Sequence, residues 1–338
     1  MKGKIFALAL CALLAAPCGA ALAKPGDWKL VMDKDGIRAY ARQVPGSSIQ
    51  ETRAVMTVDA TLATVGAVMR DCGGYKEWCP YYKKSEVTGQ RNVHDLDVYM
   101  VLGLPWPVQE RDMLIGCKSV YDTKAARGVV SLCSKDSPKC PPQAKTVRIK
   151  TFTGTNVFEF VSKEKTGVIF TIKIDMGGWI PPSLLNMMSK YNLYDTFVGL
   201  RRMVKRPCYI EAGRRSDVQD VVSGVMGSEA GTRQVFRTRL SEFIGDETFV
   251  EKIVDDPALR ERFFAPKNSL AEVLLYGWGS EKSKKDAVTR ILQAYLPRHL
   301  SDPRAAEALA SDKELVEAIL SGKGSFEKVL AERNCTLK

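Results

Sequence analysis

The stretch Asp175-Met-Gly-Gly-Trp-Ile-Pro-Pro-Ser-Leu-Leu-Asn186 constrains the fold of this chain more than any other. It ends an alternating strand, turns on two glycines and starts a helix through a Pro-Pro pair, since proline is tolerated in a first helical turn and not deeper. The strand is expected over Val168 to Asp175, with Phe170, Ile172 and Ile174 on one face and Thr171, Lys173 and Asp175 on the other. That period of two marks a half-buried strand. In the helix, Leu184, Met187, Met188, Tyr191, Tyr194 and Val198 form one stripe at three- and four-residue spacing. A strand that hands over to such a helix lays it, as a lid, across the sheet it has just left.

Upstream, short apolar-patterned runs alternate with turn signals: Glu51 to Val58, Tyr81 to Val87, Val93 to Val101, Asp112 to Tyr121, Gly128 to Cys133, Val147 to Thr153 and Val157 to Val161. One helix interrupts them, Leu62 to Asp71, capped by Asp59 or Thr61 and ended near Gly73-Gly74. The fold class is therefore α+β, a curved antiparallel sheet wrapped around a long helix, followed by an all-α domain. Such a sheet is either filled by side chains or leaves a cavity. Residues 208–235, rich in Gly, Ser and charge, read as a linker or irregular segment. Residues 236–338 are helical throughout, with starts at Asp256-Pro257, Asn268-Ser269 and Asp302-Pro303. The runs after Asp256 and Asp302 echo each other at a 46-residue offset, which admits a helical repeat beside a plain bundle.

Four landmarks in order resemble the START domain, a lipid-binding helix-grip family. Trp28 to Arg42 is similar to the run into its first strand, and Tyr75-Lys-Glu-Trp78 to its Tyr/Trp segment after the first internal helix. Pro105-Trp-Pro-Val-Gln-Glu-Arg-Asp112 resembles its Arg-Asp segment, and the Asp175 to Asn186 stretch its closing signature. The resemblance spans about 28–207. It implies a START-like domain over 24–207 that binds a lipid or other hydrophobic small molecule without help from the tail.

Lys2 and Lys4 precede the twelve-residue apolar run Ile5 to Ala16, and Ala21-Leu-Ala23 suits signal peptidase, so 1–23 is expected to be a cleaved signal and the mature chain periplasmic. The run is shorter than the ~20 apolar residues of a spanning helix. Seven cysteines then remain, an odd number in an oxidising compartment. Cys72 with Cys79 and Cys133 with Cys140 are the expected disulfides, each closing a short turn-rich loop, with Cys117 a competitor for Cys133 and buried thiols the alternative. Residues 24–207 carry 28 Lys and Arg against 18 Asp and Glu, whereas 208–338 carry 20 against 21. Transient contact with an anionic membrane surface fits that balance, as does a merely solvated basic face. Export and the lack of any nucleic-acid motif argue against nucleic acid.

Enzymatic readings find little footing. The chain has two histidines and no Gly-x-Ser-x-Gly elbow, phosphate-cradling loop, His-Glu-x-x-His or Cys-x-x-Cys. No catalytic residue, metal or cofactor is expected. His94, beside Asp95 and on the face opposite Asp97, could form an acid-base pair with a carboxylate, but a histidine at a strand end is more often a surface residue. Arg111 takes the position at which the family's arginine meets a ligand's polar group in some members, with Asp97 or Asp95 as partner if it is buried and Asp112 if it is not. The expected ligand site comprises Arg111, Asp97, Tyr99, Phe170, Ile172, Ile174, Leu184, Met187, Met188, Tyr191 and Tyr194. Two other functions stay open. One is an interaction module with a collapsed cavity, whose helical tail recruits an unidentified protein partner; the other is a cyclase or hydrolase of the wider superfamily.

Overall fold

The computed structural model describes residues 28–44, 50–138, 140–323 and 325–338, with the backbone alone at 182–183, 185–191 and 303. The expected signal segment, 1–23, lies outside the described residues. Among these, ten strands form one sheet: β1 (Lys29–Lys34), β2 (Ile37–Gln43), β3 (Gln50–Val58), β4 (Tyr82–Asn92), β5 (Asp95–Leu102), β6 (Glu110–Asp122), β7 (Arg127–Ser134), β8 (Thr146–Arg148), β9 (Thr151–Ser162) and β10 (Lys165–Asp175). Their order is β1-β2-β3-β10-β9-β7-β6-β5-β4, all antiparallel, with β8 running parallel beside the start of β6. Two strands expected at Val147 to Thr153 and Val157 to Val161 are instead the short β8 and one continuous β9. Gly154 and Asn156 look like a break, yet a Cβ on Gly154 would stand 3.3 Å from the Leu132 side chain, so the glycine serves close packing inside the strand.

Helix α1 (Leu62–Arg70) is capped by Thr61, whose Oγ1 accepts the Thr64 N–H at 3.0 Å; Asp59 plays no such part. Helix α2 (Pro182–Met203) crosses the inner face of the sheet and opens with Pro182, as the Pro-Pro start requires. Its buried residues Phe197, Leu200 and Met203 pack with Met56, Val65 and Phe170 in the inner core.

Residues 208–235 are not a linker. They form α3 (Pro207–Arg214), α4 (Asp217–Met226) and the first half of α5 (Glu229–Ser241). The serines that suggest a loop are caps: Ser216 and Ser228 accept the N–H groups of Gln219 and Gly231. The chain continues through α6 (Glu247–Val254), α7 (Pro257–Phe263), α8 (Leu270–Gly277), α9 (Glu281–His299), α10 (Ala306–Ala310), α11 (Lys313–Ser321) and α12 (Phe326–Glu332). Asp256 and Ser269 cap α7 and α8, whereas Asp302-Pro303 opens only a 3-10 turn ahead of α10. Helices α8, α10 and α11 all pack on α9, the arrangement of a bundle around one central helix. Among the described residues, no helix is long and apolar enough to cross a membrane.

The bundle lies against the outer face of the sheet. Tyr40, Val55, Val157, Val161 and Ile169 share one core with Phe236, Leu275 and Trp278. A Cβ on Gly279 would fall 2.1 Å from the Tyr40 ring, so only glycine allows that approach. For this reason β10, expected to be half-buried, is buried on both faces from Thr166 to Thr171. A cluster of four charged side chains is enclosed with it. Arg127 meets Glu159 at 3.3 Å and also pairs with Glu242, while Arg239 pairs with Glu159 and donates to the Phe160 carbonyl at 2.6 Å. Burial drives the Glu242 carboxyl above its ordinary range.

Candidate functional site

Strand alternation places one set of side chains on the inner face, and between them, α1 and α2 lies a cavity of about 640 Å³. Pockets of roughly 300–1,000 Å³ enclose one drug-sized molecule. The floor is apolar: Leu96, Val98 and Met100 from β5, Met113, Ile115 and Cys117 from β6, Phe152 and Phe158 from β9. Phe170, Ile172 and Ile174 of β10 also line it. Leu62 and Met69 of α1, Tyr75 and Trp78 beyond it, and Leu193 and Thr196 of α2 complete the enclosure. Phe170 stands edge-on to Phe158 at 5.9 Å and to Phe197 at 5.0 Å, which couples floor to lid through ring contacts. Val218 of α4 reaches the wall too, so the tail contributes to the site.

Polar atoms gather toward one end of this floor. Ser119 lies opposite Val130, which lies opposite Asn156, and Tyr121 follows two residues on. His94 Nδ1 is 3.1 Å from Ser119 Oγ. Asn156 Oδ1, Tyr121 Oη and Trp78 Nε1 are buried without a hydrogen-bond partner among the described residues. Each such group costs about 1–3 kcal/mol while it stays unpaired. Burial pushes the Tyr121 hydroxyl up to about 12, so it keeps its proton. The same cause raises the Cys79 and Cys117 thiols to about 12, which leaves them as poor nucleophiles. Among the described cavity-lining residues, Arg70 carries the permanent charge, and its Nη1 donates to Asp217 at 3.1 Å.

The expected site residues divide. Phe170, Ile172 and Ile174 face the cavity, whereas Asp97 and Tyr99 do not. They lie on the outer face of β5, because Leu96, Val98 and Met100 occupy the alternate positions. Asp97 pairs with Arg91 at 2.8 Å and Lys135 at 2.6 Å, and Asp95 with Arg91 and Lys118 rather than with His94. Tyr99 donates to Asp112, whose carboxylate Arg148 grips at 3.0 and 2.9 Å. Burial pushes that carboxyl up, but Arg148 and Tyr99 hold it below its ordinary value. Tyr194 turns away to Asp35, and Leu184 packs on Leu104, Val108 and Ile180 beside the cavity end. The side chains of Met187, Met188 and Tyr191 lie outside the described residues. Tyr121, Asn156 and Trp78 are new from the structure. The pattern that points to Tyr121 is alternation along β6, where Met113, Ile115, Cys117, Ser119 and Tyr121 share a face.

Arg111 is buried, yet it meets carbonyls rather than a carboxylate. Its guanidinium donates to the backbone oxygens of Gln109, Met176 (3.2 Å), Gly177 (2.8 Å) and Trp179 (3.4 Å). Asp175 accepts the Gly177 N–H at 2.9 Å, and Gly177 and Gly178 take φ of +58° and +59°. Two successive left-handed residues, with Arg111 within 3.3 Å of a Cβ on Gly178, explain why both positions are glycine. The arginine is thus a clamp that fixes the turn into the lid helix.

Among the described residues, no cysteine forms a disulfide, so the expected pairs Cys72 with Cys79 and Cys133 with Cys140 are not joined. A 3-10 helix, Cys72–Glu77, occupies the first expected loop, and the Cys140 thiol packs on Tyr99, Val101 and Leu114. Cys117 and Cys133 face opposite sides of the sheet, since Cys117 pairs with Leu132 and Cys133 with Gly116.

A family model for the START domain matches residues 13–210. An uncharacterized protein of Pseudomonas aeruginosa is 30% identical over 207 residues, which is 61% of this chain and 100% of that protein. A STAR-related lipid transfer protein of Xanthomonas axonopodis is 25% identical, covering 53% of this chain and 99% of that one with a TM-score of 0.48. Human STARD10 is 17% identical, covering 57% and 78% with a TM-score of 0.50, a likeness of fold.

Proposed function

Since the chain belongs to the START domain family, we propose that it is an exported lipid-binding or lipid-transfer protein that holds one hydrophobic ligand between sheet and lid helix. The observation that carries this reading is the open, apolar-walled cavity of about 640 Å³. It is not collapsed, which disfavours a mere interaction module. Transfer would be non-covalent, with apolar burial at roughly 25 cal/mol per Å² replacing the bilayer. Protonated cavity thiols and a His94 hydrogen-bonded to Ser119, with Asp95 engaged elsewhere, favour binding over chemistry.

Contact with an anionic membrane finds support at the lid end. Trp106 and Trp179 are 93% and 69% exposed on the two loops that flank the Leu104, Val108, Ile180 and Leu184 cluster. Amphipathic indole rings favour the headgroup region of a bilayer. The basic balance of residues 24–207 adds long-range attraction. Export rests on the charged and apolar pattern of 1–23, and a bacterial periplasm is the simplest destination.

Mass spectrometry of solvent extracts from gently purified full-length protein tests the reading. A lipid near one per chain is expected. An extract without lipid, and no uptake from phosphatidylglycerol vesicles afterwards, would overturn it.

A further inference from the structure

We propose that the cavity selects a neutral lipid whose buried polar group is a hydroxyl, received by Tyr121 and Asn156. This rests on the lipid-binding reading and narrows it to one head-group chemistry. Both residues line the cavity, Asn156 is 6% exposed, and Tyr121 Oη and Asn156 Oδ1 lack any partner among the described residues. A carbonyl oxygen such as Asn156 Oδ1 only accepts, so its partner must bring a hydrogen. A phenol both donates and accepts. An alcohol meets both needs, whereas an ether or ester brings no donor, and a carboxylate or phosphate brings negative charge instead.

That charge would have to compete with Asp217 for Arg70, the permanent cation among the described lining residues, whose pair lies exposed to solvent. Ser119 is engaged by His94. An anion in a dry apolar enclosure without a cation is strongly disfavoured. The geometry agrees. Tyr121 lies opposite Gly128, where a Cβ would make ordinary contact with the Phe158 ring at 4.0 Å, so the position beside the phenol is uncrowded. Asn156 sits two strands from Ser119, about 10 Å at the backbone, and both side chains rise from the same end of the floor. Lining cysteines supply no strong hydrogen bond of their own and Trp78 Nε1 only donates, so Asn156 Oδ1 is the unmet acceptor that calls for a ligand hydrogen.

The test uses full-length protein and two ligand series. One comprises hexadecanol, its methyl ether and palmitate; the other comprises cholesterol, its methyl ether and its sulfate. Affinities are measured for the wild type, Tyr121→Phe and Asn156→Leu. In at least one series the alcohol is expected to bind about tenfold or more tighter than its ether and its anion. Each substitution should shrink the alcohol-to-ether ratio to within about threefold. If a variant fails to fold, the head-group series on the wild type decides alone. An anion that binds as well as the alcohol, or a ratio untouched by both substitutions, would overturn the assignment while leaving lipid binding intact. Failure of every ligand in both series would instead sink the lipid-binding reading, and this assignment with it.

Discussion

The two faces of one sheet meet opposite environments, and β9 shows both within a few residues. Asn156 and Phe158 look into the cavity, while Val157, Glu159 and Val161 look into the helical bundle. The inner face leaves space and keeps its polar groups neutral. The outer face leaves almost none and holds the buried Arg127, Glu159 and Arg239 together with the part-buried Glu242 in one cluster. A permanently packed interface tolerates charges because each partner stays in place. A compartment that empties and refills, as proposed for the inner face, does not, since a departing ligand would strand the charge.

The largest effect should come from removing the bundle. A chain ended after residue 207 exposes Tyr40, Val55, Val157 and Ile169 together, and loses Val218 from the cavity wall. Size-exclusion chromatography should show aggregation, against the sequence-based expectation that 24–207 functions alone. A stable, lipid-binding monomer would mean that the two faces are energetically separate. Next, Glu159→Ala leaves the buried Arg239 without a carboxylate and Arg127 to Glu242, and should cost about 3–5 kcal/mol in urea unfolding. A loss below about 1 kcal/mol would reduce the cluster to a surface-like pair.

Truncations compare the faces directly. Phe236→Ala in the solid outer core should cost about 3–5 kcal/mol with or without lipid. Met100→Ala on the open inner wall should cost under about 2 kcal/mol without lipid and reduce the stabilisation that added lipid confers. Equal losses at both sites would mean that the cavity is filled in solution. Arg111→Ala should cost about 1–3 kcal/mol by freeing the carbonyls of the glycine turn. Arg111→Lys should recover little, because one ammonium cannot span four acceptors.

The smallest effect is on pH. Glu242 has a raised carboxyl in the folded state, so its contribution is full below the ordinary carboxylate range and is lost as pH rises through the folded value. Asp112, held low, contributes above about 3.9 and loses that contribution as pH falls through its folded value. In urea midpoints against pH, Glu242→Gln should flatten the decline above about 4.3 and Asp112→Asn the acid-side decline. If neither slope changes, the buried carboxylates titrate as they do unfolded.

Much of the inner face was legible in the sequence. Alternation in Phe170, Ile172 and Ile174 and the Gly-Gly-to-Pro-Pro handover specify a strand, its cavity side and the helix that follows. Direction along β5 was not. Asp97 and Tyr99 attract attention as polar residues, yet the plainer Leu96, Val98 and Met100 are the ones that face inward. Arg111 has the expected burial but backbone partners, which no side-chain pattern announces. The outer face was least legible. Its partner lies far along the chain, and serines that cap α4 and α5 share their composition with loops.

The alternation in β9 also guards against error. Most antiparallel sheets bury one face, so a strand that slips by one residue is penalised once. Here a slip would turn Glu159 toward an apolar hollow and push a phenyl ring between two arginines in the same movement. Each mistake is costly by itself, and neither can be relieved without the other. A sheet clad on both sides by unlike materials is therefore read twice, and only one pairing of its strands satisfies both readers.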